Sequence, residues 1–455
     1  MLLIFVSMSL DLQVEVSYKQ VVKIAAPIAL ALFVPQLNLI TNSIFLGHHS
    51  EESLAEAALT GVYYLVFAGI GFGLNNGLQT LISRRAGENR PEEIGKIFTQ
   101  GIFIAFIVAA FGITVTEFIT PSILRAFLSA DQANKAIVFL KIRIWGLPFL
   151  YVYQLRNALL VGINKAKFLI IGTLAETVTN VFFDYSLIFG KLGFPAMGFN
   201  GAAVASIIAE FTGMIVIFWV ISKKGIAQKF SLFGRLKFDK AIARLVAKIS
   251  GPLAFQHATS VLAWFFFYML VARNASQTGL AISTAMRTVF GFFGTCFWSL
   301  AATTNSMVSN VIGQGKRDEV LHLMWKISKL SLGLAVIVCT LLNLFPGAYL
   351  SLFRPEDPAF VNEGTPVLRL IGFVVLFLSI GTVWLNAVTG TGNSRVTFLI
   401  EVSTLVFYCA YVFLVLEIKH LSILWGWLSE VLYWTLLFSL SCLYMKSKRW
   451  KQTVI

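Results

Sequence analysis

Twelve times along this chain a run of about 20 or more mostly apolar residues is closed off by charges, Gly, Pro or Asn, each run long enough to cross a ~30 Å hydrocarbon layer. No arrangement of soluble layers buries so many such runs. Composition agrees: 57% of the 455 residues are hydrophobic and 13% are charged, against roughly 45–50% and 25% in soluble domains. The chain is an integral membrane protein, and soluble enzymes are excluded. A membrane barrel is excluded too, because its strands would alternate polar and apolar over about ten residues.

The runs predict twelve helices near 21–46, 54–82, 97–120, 137–163, 167–190, 198–222, 249–272, 279–311, 325–348, 365–390, 395–416 and 421–445. Lys and Arg sort unequally between the two sides of this topology. The side holding both termini carries 25 and the other side nine, so both termini are expected in the cytoplasm and the protein in the cell (inner) membrane. The net charge of +14 therefore belongs to loops and implies no nucleic-acid partner. Its densest stretch, 223–248, is a basic cytoplasmic linker at the chain midpoint, suited either to lie on anionic lipid or to act as a solvated connector. The opening MLLIFVSMSL has no basic start and no small-residue cleavage site, so it reads as an uncleaved tail. The four cysteines fall in apolar runs without CxxC spacing, and His48-His49 has no Cys or carboxylate at ligand spacing, so neither a disulfide framework nor a zinc site is indicated.

Two halves resemble each other at an offset near 225 residues. Lys23 and Pro27 correspond to Lys248 and Pro252, the loop at 86–94 to that at 312–320, RIWG at 143–146 to RLIG at 369–372, and Glu176 to Glu401. Six helices per half return the chain to the side it started from, so the repeats are parallel and related by a pseudo-two-fold along the membrane normal. The expected organisation is an N-terminal lobe at 1–222, the linker at 223–248 and a C-terminal lobe at 249–455, with a substrate path between the lobes.

The first span with its Pro27, Gln36, Asn38 and Gly47, the loop SRRAGENRPEEIGKIFTQG (83–101), the stretch NVFFDYSLIFGKLGFPAMGFNGAAVAS (180–206), Pro252 with Gln256, and VIGQGKRDEV (311–320) resemble, in the same order, the multidrug and toxic compound extrusion family. The most specific piece is 180–206. The resemblance implies secondary transport by two rocking lobes. Asn42 stands where the family usually has Asp, and Ser260 where many members have Glu, so the likeness is better to members that concentrate coupling in the N-terminal lobe.

An ionisable group at mid-bilayer costs at least ~2.5–3.5 kcal/mol and needs a partner or a job. Asp184 lies about 16 residues, roughly 24 Å, into its helix, with Asn180 one turn earlier on the same face. Asn42 reaches a similar depth, and Ser206 carries a hydroxyl where the family often has Thr. One carboxylate with neutral oxygens suits Na⁺, and suits a proton equally well. Asp184, Asn180, Asn42 and Ser206 are the expected coupling set, with Asp184 the Na⁺ ligand. Gln36, Asn38, Arg156, Glu176, Gln256, His257 and Arg287 are candidates for substrate or gate contacts. Arg156 and Arg287 are expected either to find an acidic or carbonyl partner, Glu210 and Glu430 among them, or to point unpaired into the cleft toward an anionic group.

The sequence thus predicts an efflux antiporter that exports small organic compounds, multidrug cations among them, against Na⁺ or H⁺ by alternating access. It is expected to act as a monomer in contact with lipid, without a cofactor. The alternative is a lipid-linked saccharide flippase of the same superfamily, favoured by the two arginines and disfavoured by twelve helices and the 180–206 stretch. No nucleophile–base pair or metal motif suggests an enzyme.

Overall fold

The computed structural model describes residues 12–232, 234, 237–353, 358–453 and 455; the opening apolar tail lies outside the described residues. The twelve spans are present as helices. They are α1 Tyr18–His49, α2 Glu51–Gly87, α3 Pro91–Phe127, α4 Ala130–Gly162, α5 Ala166–Phe189, α6 Phe199–Lys223, α7 Lys240–Asn274, α8 Gln277–Gly313, α9 Arg317–Leu344, α10 Pro358–Gly390, α11 Ser394–Ile418 and α12 Ile423–Lys446. No strand occurs among the described residues.

Local chemistry sets the helix ends. Ser17, Ser50, Asp239 and Ser276 accept hydrogen bonds from the first-turn amides of α1, α2, α7 and α8. Gly190, at φ +64°, ends α5 in the left-handed region that a side chain disfavours. Pro27 and Pro35 lie inside α1 and Pro252 inside α7, each removing a backbone donor. Pro148 is the second residue of the helical segment that resumes after the 3₁₀ turn Ile144–Gly146 within α4.

The helices form two six-helix lobes, α1–α6 and α7–α12, related by a pseudo-two-fold along the membrane normal. The lobes meet most closely at the end of the bundle that carries both termini, where small residues let backbones approach. A methyl group at Gly73 would come within 2.3 Å of Ala254 Cα, one at Gly77 within 2.3 Å of Ser250 Oγ, and one at Gly87 within 2.1 Å of the Asn310 carbonyl oxygen. One at Gly313 would reach 3.1 Å from Gly87 Cα, so the matched glycines of the two halves lie against each other.

Polar groups lace this end. Thr80 donates to Asn305 Oδ1 (2.7 Å), Ser309 donates to the Thr80 carbonyl (2.7 Å), and Ser83 pairs with Ser306 (2.8 Å). Arg84 is buried and donates to the carbonyls of Ser309 and Thr391 at 3.1 Å each. Among the described residues, hydrogen bonds between the lobes are confined to this end, reaching outward as far as Asn76–His257 (3.0 Å).

The first described residues and the C-terminus are tied in. The Val14 amide donates to Asn310 Oδ1 (3.1 Å), Asn310 Nδ2 to the Leu12 carbonyl (2.8 Å), and Lys326 Nζ to the Val16 carbonyl (2.8 Å). At the other end Arg85 donates to the Ile455 carbonyl (3.1 Å), and Lys451 is paired with Asp318.

The described part of the basic midpoint stretch packs apolar side chains against the N-terminal lobe. Phe230 and Leu232 are fully buried, Thr99 donates to the Leu232 carbonyl (3.2 Å), and Gln100 donates to the Lys237 carbonyl (2.9 Å). Its second part, from Lys240, belongs to α7.

Candidate functional site

α5 carries Asn180 and Asp184 one turn apart, both facing inward; Asp184 is 0% exposed. Asn38, on the turn of α1 after Pro35, donates through Nδ2 to Asn180 Oδ1 at 2.6 Å. That bond consumes one acceptor and leaves others bare. Both carboxylate oxygens of Asp184, Asn38 Oδ1, Asn42 Oδ1 and Asn180 Nδ2 are buried without a hydrogen-bond partner.

Such groups are rare in a folded interior because each costs about 1–3 kcal/mol, more if charged. An excess of buried oxygen acceptors over donors, centred on one carboxylate, is the donor set of a hard cation or a proton. The structure therefore draws Asn38 into this neighbourhood, although the sequence placed it among substrate or gate residues. Ser206 is half-buried on α6 and makes no hydrogen bond to Asp184.

Around this cluster the N-terminal lobe neutralises its other charges internally. Arg143 of α4 and Glu210 of α6 form a two-point ion pair, with Nη1–Oε2 at 3.0 Å and Nη2–Oε1 at 2.5 Å, and the guanidinium lies 3.8 Å over the Tyr64 ring. A methyl group at Gly146 would fall 2.5 Å from both Arg143 Nη1 and Glu210 Oε2, which explains a glycine there. The sequence reading offered Glu210 to Arg156, and that pairing is corrected. Arg156 is satisfied by oxygens near its own helix end: Nε donates to the Tyr153 carbonyl (3.0 Å), Nη1 to the Leu169 carbonyl (2.9 Å) and Nη2 to Thr173 Oγ1 (3.1 Å), with Cζ 3.5 Å over the Tyr153 ring. Glu176 is half-buried nearby, packed where a methyl on Gly213 would lie 3.0 Å from its Cβ.

The C-terminal lobe buries its carboxylates differently. Glu401, the counterpart of Glu176, is 1% exposed inside α11. Its Oε1 accepts from Ser260 (2.7 Å) and Tyr433 (2.5 Å), and its Oε2 from Gln256 Nε2 (3.4 Å). Glu430 accepts from Tyr408 (3.4 Å) and Trp434 Nε1 (3.1 Å), so it is not the partner of either arginine that the sequence singled out.

The remaining sequence candidates scatter. His257 bonds Asn76 and backs onto Gly69 of α2. The Gln36 side-chain oxygen lies against Gly291 of α8. Arg287 is exposed, with Cζ 5.5 Å from the Tyr268 ring centre. His48 Nδ1 lies 2.8 Å from the Ile44 carbonyl, and the side chain of His49 lies outside the described residues.

Comparison with known proteins gives one answer at three levels. The family model MatE matches residues 27–186 and 252–414, two segments that begin at Pro27 and Pro252. A probable multidrug resistance protein NorM from Thermotoga maritima is 24% identical over 444 residues, covering 96% of this chain and 94% of that protein. A second, from Synechocystis, is 24% identical over 393 residues, covering 81% and 80%. Among solved structures, a MATE protein in complex with MaL6 superposes with a TM-score of 0.87 at 17% identity, covering 97% of this chain and 99% of that one. A MOP superfamily transporter from Pyrococcus furiosus superposes with a TM-score of 0.86 at 16% identity, covering 97% and 98%. Matched through both halves by the family model, this chain belongs to the MatE family, the multidrug and toxic compound extrusion transporters.

Proposed function

We propose that the protein is a secondary active antiporter that exports small organic compounds in exchange for Na⁺ or H⁺. The observation that carries this reading is Asp184, a fully buried carboxylate with two unpartnered oxygens, one helical turn from Asn180, to which Asn38 donates; the amide oxygens of Asn38 and Asn42 are likewise buried and bare. A cation or proton arriving there removes a buried charge, and so favours whichever arrangement of the lobes encloses the site. A ligand shifts such an equilibrium only by its differential affinity for the two states. Asp184 supplies that difference because its charge is costly when enclosed and cheap when wetted.

The excess of Lys and Arg on the side of the termini supports a cytoplasmic placement for both ends. The bundle is then closed toward the cytoplasm and the coupling ion reaches Asp184 from outside. Residues 1–222 and 249–455 are the moving lobes and 223–248 the basic connector, in a monomer of the inner membrane; Asn180 and Asn42 complete the coupling set, with Ser206 at its edge.

The test is counterflow in proteoliposomes of the purified protein, with Na⁺ and pH gradients imposed separately against a panel of cationic, neutral and anionic compounds. Uptake accelerated by one outward gradient, with the ion more concentrated inside, and absent from empty liposomes is the expected result. Uptake indifferent to both gradients overturns coupling.

A further inference from the structure

The arginines at the lobe contacts and in the N-terminal lobe core are each settled by an acceptor: Arg84 by carbonyls, Arg143 by Glu210 and Arg156 by carbonyls and Thr173. Arg287 is not. It sits ten residues into α8, roughly 15 Å from the helix start. It is exposed, and no acidic side chain among the described residues pairs with it. Three carboxylates of the same lobe are committed elsewhere: Glu401 to Ser260, Tyr433 and Gln256, Glu430 to Tyr408 and Trp434, and Glu417 to Arg273 (3.2 Å) and Asn274 (2.7 Å). Five guanidinium N–H donors without an acceptor inside a membrane span call for water or a ligand.

The register of α8 says which way they face. One turn further in, Phe292 meets Phe33 of α1 edge-on (5.1 Å between ring centres), and Gly291 abuts Gln36 of α1. Arg287, one turn before Gly291, thus lies on the side of α8 turned toward the opposite lobe, and it is exposed. On its other side lies α7, with Tyr268 under the guanidinium. That ring is fixed: its hydroxyl donates to the Ser283 carbonyl (3.0 Å), and it is followed by Trp264 at 5.9 Å with only 30° between the planes. Both rings are half-buried, so part of each faces the gap.

We propose that Arg287, with Tyr268 as its floor and Trp264 beside it, binds the oxyanion of an amphipathic aromatic substrate in the cleft, a carboxylate, sulfonate or phosphate carried on a flat apolar body. The guanidinium offers two parallel donors to the oxyanion, and the neighbouring rings offer a stacking face to the body. The same chemistry would hold a phospholipid headgroup, but this side of α8 faces α1 and α7 rather than outward, which favours a solute. The assignment rests on the reading of the cleft as the transport path. It gives that path a cation in the C-terminal lobe, so that an acidic or zwitterionic compound fits where a plain cation does not.

The experiment is equilibrium binding of radiolabelled 2-naphthoate, and of its neutral analogue 2-naphthylmethanol, to the full-length protein in phosphatidylcholine nanodiscs. No gradient is needed, so a failure of ion coupling leaves the measurement intact. Arg287→Gln should weaken 2-naphthoate about tenfold or more, equivalent to about 1.4 kcal/mol, while changing the alcohol less than about twofold. Arg287→Lys should fall between, and Tyr268→Leu should weaken both compounds. A thermal melt matching wild type shows that the variants fold. Wild-type protein that binds 2-naphthoate no better than the alcohol overturns the proposal, as does an affinity unmoved by Arg287→Gln. Nanodiscs doped with phosphatidylglycerol provide the last arm: if the anionic lipid alone erases the dependence on Arg287, the guanidinium belongs to a headgroup and the substrate assignment is wrong.

Discussion

Asp184 in the N-terminal lobe and Glu401 in the C-terminal lobe are equally buried, at 0% and 1% exposure, and neither touches a cation among the described residues. They differ in what surrounds them. Glu401 accepts hydrogen bonds from Ser260, Tyr433 and Gln256, whereas both oxygens of Asp184 accept none. Burial alone therefore does not mark a working carboxylate. Donors fixed in place finish a charge and turn it into a packing element, while their absence leaves a group whose energy falls when something binds. Glu210 shows a third outcome, a carboxylate closed off by Arg143.

The sharpest way to break this comparison is to neutralise Asp184. Asp184→Asn keeps the shape and removes the charge, so gradient-driven transport in proteoliposomes should fall by roughly tenfold or more, with a melting temperature close to wild type. Wild-type rates in that variant would mean that bare oxygens are no guide to coupling.

Next in size is the ion pair. Arg143→Leu leaves Glu210 buried and alone, at a cost of about 3–5 kcal/mol. Thermal unfolding should show the loss, and adding Glu210→Leu should restore much of it. If the double variant is as unstable as the single one, the pair stabilises through its contact with Tyr64 rather than through charge.

The smallest effect is expected at Glu401. Glu401→Gln keeps one acceptor oxygen and disturbs the rest, costing about 1 kcal/mol, while gradient-driven transport stays within about twofold of wild type. A collapse like that of Asp184→Asn would erase the distinction between the lobes.

The spans, the duplication and the burial of Asp184 inside a span were legible in the sequence because each is local or periodic. Apolar runs announce helices, an offset of 225 announces a repeat, and i, i+4 spacing puts Asn180 beside Asp184. What lay hidden depends on contacts between helices. Arg143 and Glu210 are 67 residues apart and nothing in the intervening sequence links them, so Arg156 was an equally good suitor for Glu210. Gly146, one turn from Arg143 and with no room for a side chain, was the available hint. Asn38 was separated from the Asp184 cluster because helical spacing relates neighbours on one helix and says nothing of the 142 residues between it and Asn180.

The anchoring of the first described residues and the C-terminus has a practical side. Leu12, Val14 and Val16 bond Asn310, Gln314 and Lys326 of the other lobe, and Ile455 and Lys451 bond Arg85 and Arg317. The contacts of Leu12, Val14, Val16 and Ile455 cross between the lobes, whereas that of Lys451 with Arg317 stays within the C-terminal lobe; in the alternating-access reading proposed above, the crossing contacts lie on the joint that parts. A tag fused directly after Ile455 is therefore expected to disturb its contact with Arg85, and transport compared between C-terminally tagged and untagged preparations checks this.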